Sequence, residues 1–147
     1  MTEEFDIPSA LDEVSLEDVP EMGPVDAGEY QVEIGSSDFR QSNKNGIISR
    51  FFMVRFIIPD EPTSIPITQT IFLPRDTEGE REINAALNRV RDFCNTFGIE
   101  INKGLRTLAE EARAGVWDGQ VGSVMLGQKD GKEYGLQNNV TKFLPKR

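Results

Sequence analysis

The order of the local signals predicts an all-β domain with one helical insertion, β-β-β-α-β-β. Two observations carry this. Residues 29–40 repeat with the period of two that a strand requires, residues 47–59 are an apolar, β-rich run, residues 65–73 repeat with that period again, and residues 120–128 and 133–143 return to strands. Between the third and fourth of these stretches the apolar spacing lengthens to that of a helix. A third observation concerns bends: Gly122 and Gly127 fall inside the fourth stretch, where a sharply curved sheet needs bulges or kinks.

The first strand sets Tyr30, Val32 and Ile34 against Gln31 and Glu33, one face buried and one wet. Residues 41–46, QSNKNG, form a polar connection whose Asn45-Gly46 pair supplies the positive-φ positions of a hairpin turn. The second strand, IISRFFMVRFIIP, is the longest apolar β-rich run and carries two arginines. Ile48, Arg50, Phe52, Val54, Phe56 and Ile58 form its more apolar row, assigned to the core. Ile47, Ser49, Phe51, Met53, Arg55 and Ile57 form the other, which mixes aromatic, thioether and guanidinium groups. In the third strand Ile65, Ile67, Ile71 and Leu73 share one face, and Thr68, Thr70 and Phe72 the other.

Residues 78–97 then place Ile83, Leu87, Val90, Cys94 and Phe97 at helical spacing, with acids at the start and Gly98 as the stop. Arg81, Arg89 and Arg91 read as the solvated side of this helix. A second helix over residues 104–114 carries Leu105, Leu108 and Ala112 and stops at Gly115. Trp117 is expected to plug a gap between helix and sheet. Lys129-Asp130-Gly131-Lys132 reads as a tight turn between the last two strands.

At 147 residues one domain with a real core is expected. The lone Cys94 excludes an internal disulfide, and the absence of histidine removes the commonest metal ligand and general base. No apolar run approaches the roughly 20 residues of a membrane span, and the acidic start is neither a secretory signal nor a transit peptide. A cytoplasmic protein without a cofactor is therefore expected. The net charge of −9 is unevenly spread. Residues 1–26 hold nine acids and no Lys or Arg, whereas the remainder balances 16 acids against all 16 basic residues. We read residues 1–27 as an acidic flexible arm, either a solubilising tail or a regulatory, partner-binding one, and residues 28–147 as the domain.

Short strands, bent glycine positions and this element order suit a five-stranded, partly open barrel, the OB-fold. Both loops that flank the usual ligand face of that barrel carry cations here. Single-stranded nucleic acid requires cations for phosphates and flat side chains for bases. The candidates are Arg40, Lys44, Arg50, Arg55, Lys129 and Lys132 for phosphates, and Phe51, Phe72, Tyr134 and Phe39 for stacking, with Met53 beside them. The plainer reading of any one phenylalanine is core, because aromatics mostly supply buried area.

The chain also resembles a family of small phage-encoded single-stranded DNA-binding proteins with an OB-fold. The residues that carry the resemblance are the leader 24–34 (PVDAGEYQVEI), the polar hairpin, the Phe52-Met53-Val54-Arg55-Phe56 run, residues 84–97, and the ending from Gly122-Ser123-Val124 to Asn138-Asn139-Val140. It extends over most of residues 24–143. It implies sequence-tolerant binding of single-stranded DNA in phage replication or recombination, with the host cytoplasm as the place. Phage replication or recombination proteins would be further partners through the acidic arm, and a homo-oligomer is left open. The chain departs from bacterial relatives in carrying its acidic segment at the N-terminus and ending basic, at Lys146-Arg147.

An enzyme is not expected. The carboxylates of Asp60-Glu61 and residues 76–82 lie beside prolines or at a helix start, where acids are common anyway, and no Gly-Lys-Ser/Thr phosphate loop occurs. The competing reading is an adaptor that uses the same barrel, through Phe51, Met53 and Ile57, to hold a replication or recombination protein without binding DNA.

Overall fold

A computed structural model describes residues 6–75, 77–131 and 135–146. Five strands form one antiparallel sheet: β1 (Gly28–Lys44), β2 (Ile47–Ile57), β3 (Ile67–Phe72), β4 (Val121–Asp130) and β5 (Leu136–Phe143). Their order is β3-β2-β1-β4-β5, so β1 lies at the centre and pairs with both β2 and β4. Helix α1 (Ser9–Asp12) belongs to the N-terminal segment, while α2 (Glu80–Phe97) and α3 (Leu105–Ala114) separate β3 from β4. The β-β-β-α-β-β order is thus observed.

The sheet coils on itself. Its two edge strands share no ladder, but Gln69 of β3 accepts a hydrogen bond from the Val140 N–H of β5 at 3.1 Å. Residues 65–68 and 136–138 line one cavity of about 200 Å³ between those edges. Two register shifts help the bend. Gly35 is the unpaired residue on β1, between Ile34 opposite Phe56 and Ser36 opposite Arg55. Thr141 is the unpaired residue on β5. Each extra residue strengthens the local twist and inverts the in–out alternation beyond it. Gly122 answers to a different need from the expected bulge, because a Cβ there would stand 2.6 Å from the Thr96 carbonyl oxygen of α2.

Inside, Phe52, Val54, Phe56 and Ile58 are buried, as alternation predicts. Phe56 stacks on Phe97 at 5.3 Å with an interplanar angle of 18°. Trp117 fills the space between Phe52 and Phe93, at 5.6 and 5.5 Å, and its indole N–H donates to Glu111. Cys94 is buried, and that burial pushes its thiol up to about 11, so it packs as a small protonated hydrophobe. Gly98 and Gly115 end the two helices in the left-handed conformation that only glycine adopts without strain.

Several expectations are corrected. The polar stretch 41–44 is strand, and the reversal is the two residues Asn45 and Gly46, with φ of 54° and 82°. Ile48 and Ile65 are exposed, and Ser49 rather than Ile48 is buried, because the core does not extend to these strand ends. Leu87 is exposed too, whereas Phe93, absent from the expected apolar row, is buried in the core. Arg89 is not simply solvated: its guanidinium lies 5.2 Å from the Phe143 ring centroid and donates to the Val140 carbonyl. Lys129 and Asp130, expected in the second turn, belong to β4, and the Gly131 N–H bonds the Gly135 carbonyl at 2.7 Å, while Lys132 lies outside the described residues.

The arm is shorter than its acidity suggests. Residues 6–22 are all exposed. Gly23, however, bridges to Ser64 in parallel fashion, exchanging bonds with the Thr63 carbonyl and the Ile65 N–H. Asn138 clamps Val25 from both sides, accepting from its N–H and donating to its carbonyl at 2.8 Å each, and Gln128 donates to that carbonyl at 2.7 Å. The packed body therefore begins near Gly23, not at residue 28. Among the described residues no helix is long and apolar enough to cross a membrane.

Candidate functional site

The outer face of β1, β2 and β3 is built by register. Three rows cross it: Arg40–Phe51–Phe72, Asp38–Met53–Thr70 and Ser36–Arg55–Thr68. Residues directly opposite in an antiparallel pair share a face, so these nine side chains present together. The Gly35 bulge decides the β1 contribution. Without it, Ile34 inward would have carried Ser36, Asp38 and Arg40 inward as well. Past the bulge it is Ser37 and Phe39 that turn in. Ser37 donates its hydroxyl to Ala112 of α3, and Phe39 packs edge-on against Phe52 at 5.2 Å under the Arg113 guanidinium.

Phe51 and Phe72 form a tilted pair with centroids 5.5 Å apart, and Phe72 is 51% exposed. A half-open aromatic pair on a strand face is a surface on which a base can stack. Arg55 is exposed and, among the described residues, is in no ion pair. Arg40 pairs with Asp38 at 3.0 Å, both exposed. Bonds from the Arg40 guanidinium and the Phe39 N–H hold the Asp38 carboxyl below the usual carboxylate range, so it remains charged at neutral pH. Together with Ser36, Met53 and Thr68 these residues line a shallow depression of about 170 Å³.

The adjoining part of the outer face differs in sign. Its β1–β4 half carries Glu29, Gln31 and Glu33 beside Met125, Ser123 and Val121. A polyanion is therefore disfavoured over β1–β4 and favoured beside Arg40 and Arg55.

The structure thus brings together Arg40, Phe51, Met53, Arg55 and Phe72. Lys44 continues the same face along the β1–β2 hairpin. Arg50 does not join it: it pairs with Gln41 on the opposite face, half-buried beyond Phe52. Phe39 is likewise turned inward and withdrawn from stacking. Lys129 lies opposite Gln137, and Gln137 lines the same cavity as Thr68, so Lys129 stands toward the Arg55 end, away from Phe51 and Phe72. Lys132 and Tyr134 lie outside the described residues. Sequence reasoning missed Asp38, whose acidic side chain sits in the middle of the site. The Asp38–Arg40 spacing was a visible sign of a same-face ion pair. Among the described residues no group of three His, Cys, Asp or Glu side chains gathers in a way that would hold a metal ion.

Asp38→Asn offers a direct probe of this face. It removes one negative charge and releases Arg40. If phosphates bind here, affinity at low salt should rise by about fivefold, equivalent to about 1 kcal/mol for one charge pair near 4 Å in water. The gain should shrink as added salt screens it. An unchanged or weaker titration would place the phosphates elsewhere. No protein-family model and no curated protein matches the sequence.

Proposed function

We propose that the protein binds single-stranded DNA, with weak sequence preference, on the β2–β3 half of its outer face. The observation that carries this reading is the juxtaposition of the open Phe51–Phe72 pair with Arg55 and Arg40 on one face. Bases stack on the rings and phosphates are neutralised beside them, which tolerates any sequence because every base has a π-face. Strand order and near-meeting edges support an OB-like barrel, in which strands 2 and 3 and the 1–2 and 4–5 hairpins form the ligand surface. Resemblance to the phage family supplies replication or recombination as the setting and the host cytoplasm as the place.

Fluorescence polarisation with oligo-dT, oligo-dA and a blunt duplex at several salt concentrations tests it. Both oligonucleotides should bind, the duplex poorly, and affinity should fall steeply with salt as counterions are released. No signal with oligo-dT at low salt, or better binding of the blunt duplex, would overturn the proposal.

The arm should oppose this binding. Its anchor places it beside the site, since Pro24 lines the cavity shared with Thr68, and Thr68 pairs with Arg55. The segment before Gly23 would span about 25 Å as an unpacked chain, enough to bring its carboxylates over the cationic face. Deleting residues 1–22 spares the Gly23–Val25 clamp and should raise low-salt affinity without changing the melting temperature. Equal affinity would make the arm a passive tail.

A further inference from the structure

We infer that the β1–β2 hairpin is a second nucleic-acid contact, one that enters a groove of duplex DNA, so that the preferred ligand is a single-strand/double-strand junction. This inference rests on the single-strand reading of the adjoining face. Beyond the Leu73 N–H bond to Arg50, β3 no longer accompanies β2, and beyond Arg113 on the Phe39 carbonyl β1 has, among the described residues, no strand neighbour but β2. The pairs Gln41–Arg50, Ser42–Ser49, Asn43–Ile48 and Lys44–Ile47 therefore form a two-stranded ribbon with no third strand, seated on the body at its root, where Ser49 is buried and Arg50 half-buried, and exposed at its tip in Asn43, Lys44, Ile47 and Ile48. At a strand rise of about 3.4 Å per residue it extends about 14 Å before the turn.

Charge marks this ribbon out. Residues 39–59 contain Arg40, Lys44, Arg50 and Arg55 and no acid, in a chain of net charge −9. Its cations point both ways, Arg40 and Lys44 to one face and Arg50 to the other. So do its apolar residues: Ile47 is 49% exposed on the first face and Ile48 38% exposed on the second. A flat partner surface could cover only one face. A groove covers both, and its two walls are lines of phosphates. The major groove of B-DNA, about 12 Å wide, admits a two-stranded ribbon, and apolar side chains at such tips also wedge between base steps. Gln41, sharing the Arg50 face, is an amide of the kind that reaches adenine edges, whereas the Asn43 side-chain oxygen holds the turn by accepting from the Gly46 N–H at 3.1 Å. The ribbon springs from the Arg40–Phe51–Phe72 row, so duplex held by it continues directly into strand held by the rings.

The test compares three labelled ligands under one salt series: an oligo-dT tail, a blunt duplex, and the same duplex carrying that tail. The tailed duplex should bind about tenfold tighter than the tail, with a salt slope steeper by about 0.9 for each additional phosphate neutralised. The doubly substituted Ile47→Ser, Ile48→Ser protein, with the melting temperature as a check on folding, should lose this excess and keep its affinity for the tail. A tailed duplex that binds no tighter than the tail overturns the inference. So does an excess that survives the substitutions, or concentration-dependent dimerisation in sedimentation that the substitutions abolish, which would make the tip a protein contact. If the tail alone fails to bind while the tailed duplex binds in an Ile47- and Ile48-dependent way, the single-strand reading fails and the ribbon contact stands.

Discussion

Phe56→Ala is expected to destabilise the fold by about 3–5 kcal/mol, the range for truncating a buried phenylalanine. The side chain is 0% exposed and touches three other rings, Phe93, Phe97 and Phe143, with centroids at 6.4, 5.3 and 6.3 Å. These rings come from α2 and β5, so the cavity would open where helix and sheet meet and neither can collapse alone. Since a domain of this size has a total stability of about 5–15 kcal/mol, such a loss should appear as a large drop in the urea midpoint. Phe56→Leu, which keeps most of the volume, should cost far less. A midpoint within error of the parent protein would remove Phe56 from the core. Phe52→Ala should behave alike, because Phe52 bridges Phe39 and Trp117.

Replacing both Phe51 and Phe72 by Ala should have the opposite signature. Loss of stacking is expected to weaken oligo-dT binding by roughly ten- to a hundredfold, from ~1–3 kcal/mol per stacked base. The cross-strand pair itself contributes under about 1 kcal/mol to folding, so the melting temperature should move little. Adding Arg55→Ala should weaken binding further and flatten the salt slope by about 0.9, one phosphate contact. If the double substitution leaves oligo-dT affinity intact, the stacking platform is not on this face. Should it unfold the protein instead, the single Phe72→Ala, at the more exposed ring of the pair, isolates the binding effect.

The contrast between these two outcomes rests on a parity that alternation along residues 51–58 already contained. Phe52, Val54, Phe56 and Ile58 point in, and Phe51, Met53, Arg55 and Ile57 point out, because a strand with one buried face must repeat every two residues. Helix ends at Gly98 and Gly115, the Asn45-Gly46 reversal and the position of Trp117 were legible for the same kind of reason. Each depends on a residue's own conformational freedom or on local periodicity. The concentration of cations on the hairpin and of acids in the leader was legible by counting.

Other features depended on which segments meet. Alternation from Tyr30 to Ile34, continued unbroken, puts Arg40 inside and Phe39 outside, and the Gly35 bulge reverses both. A bulge is a property of two strands, since it exists only where one residue of β2 faces two of β1. Arg50 was separated from Arg55 by the same two-residue repeat that grouped Arg55 with Phe51; five positions apart on a strand means opposite faces. The Val25 clamp needed Asn138, 113 residues away, and could not show in a stretch that reads as polar and proline-rich. The gap between the β3 and β5 edges, bridged by Gln69, likewise has no local signature. Sequence alone determined the elements and the two faces of residues 51–58, where no bulge interrupts the alternation. Tertiary pairing decided which faces coincide, because register between distant strands is set by the packing of the whole sheet against α2 and α3 and not by any one stretch of chain.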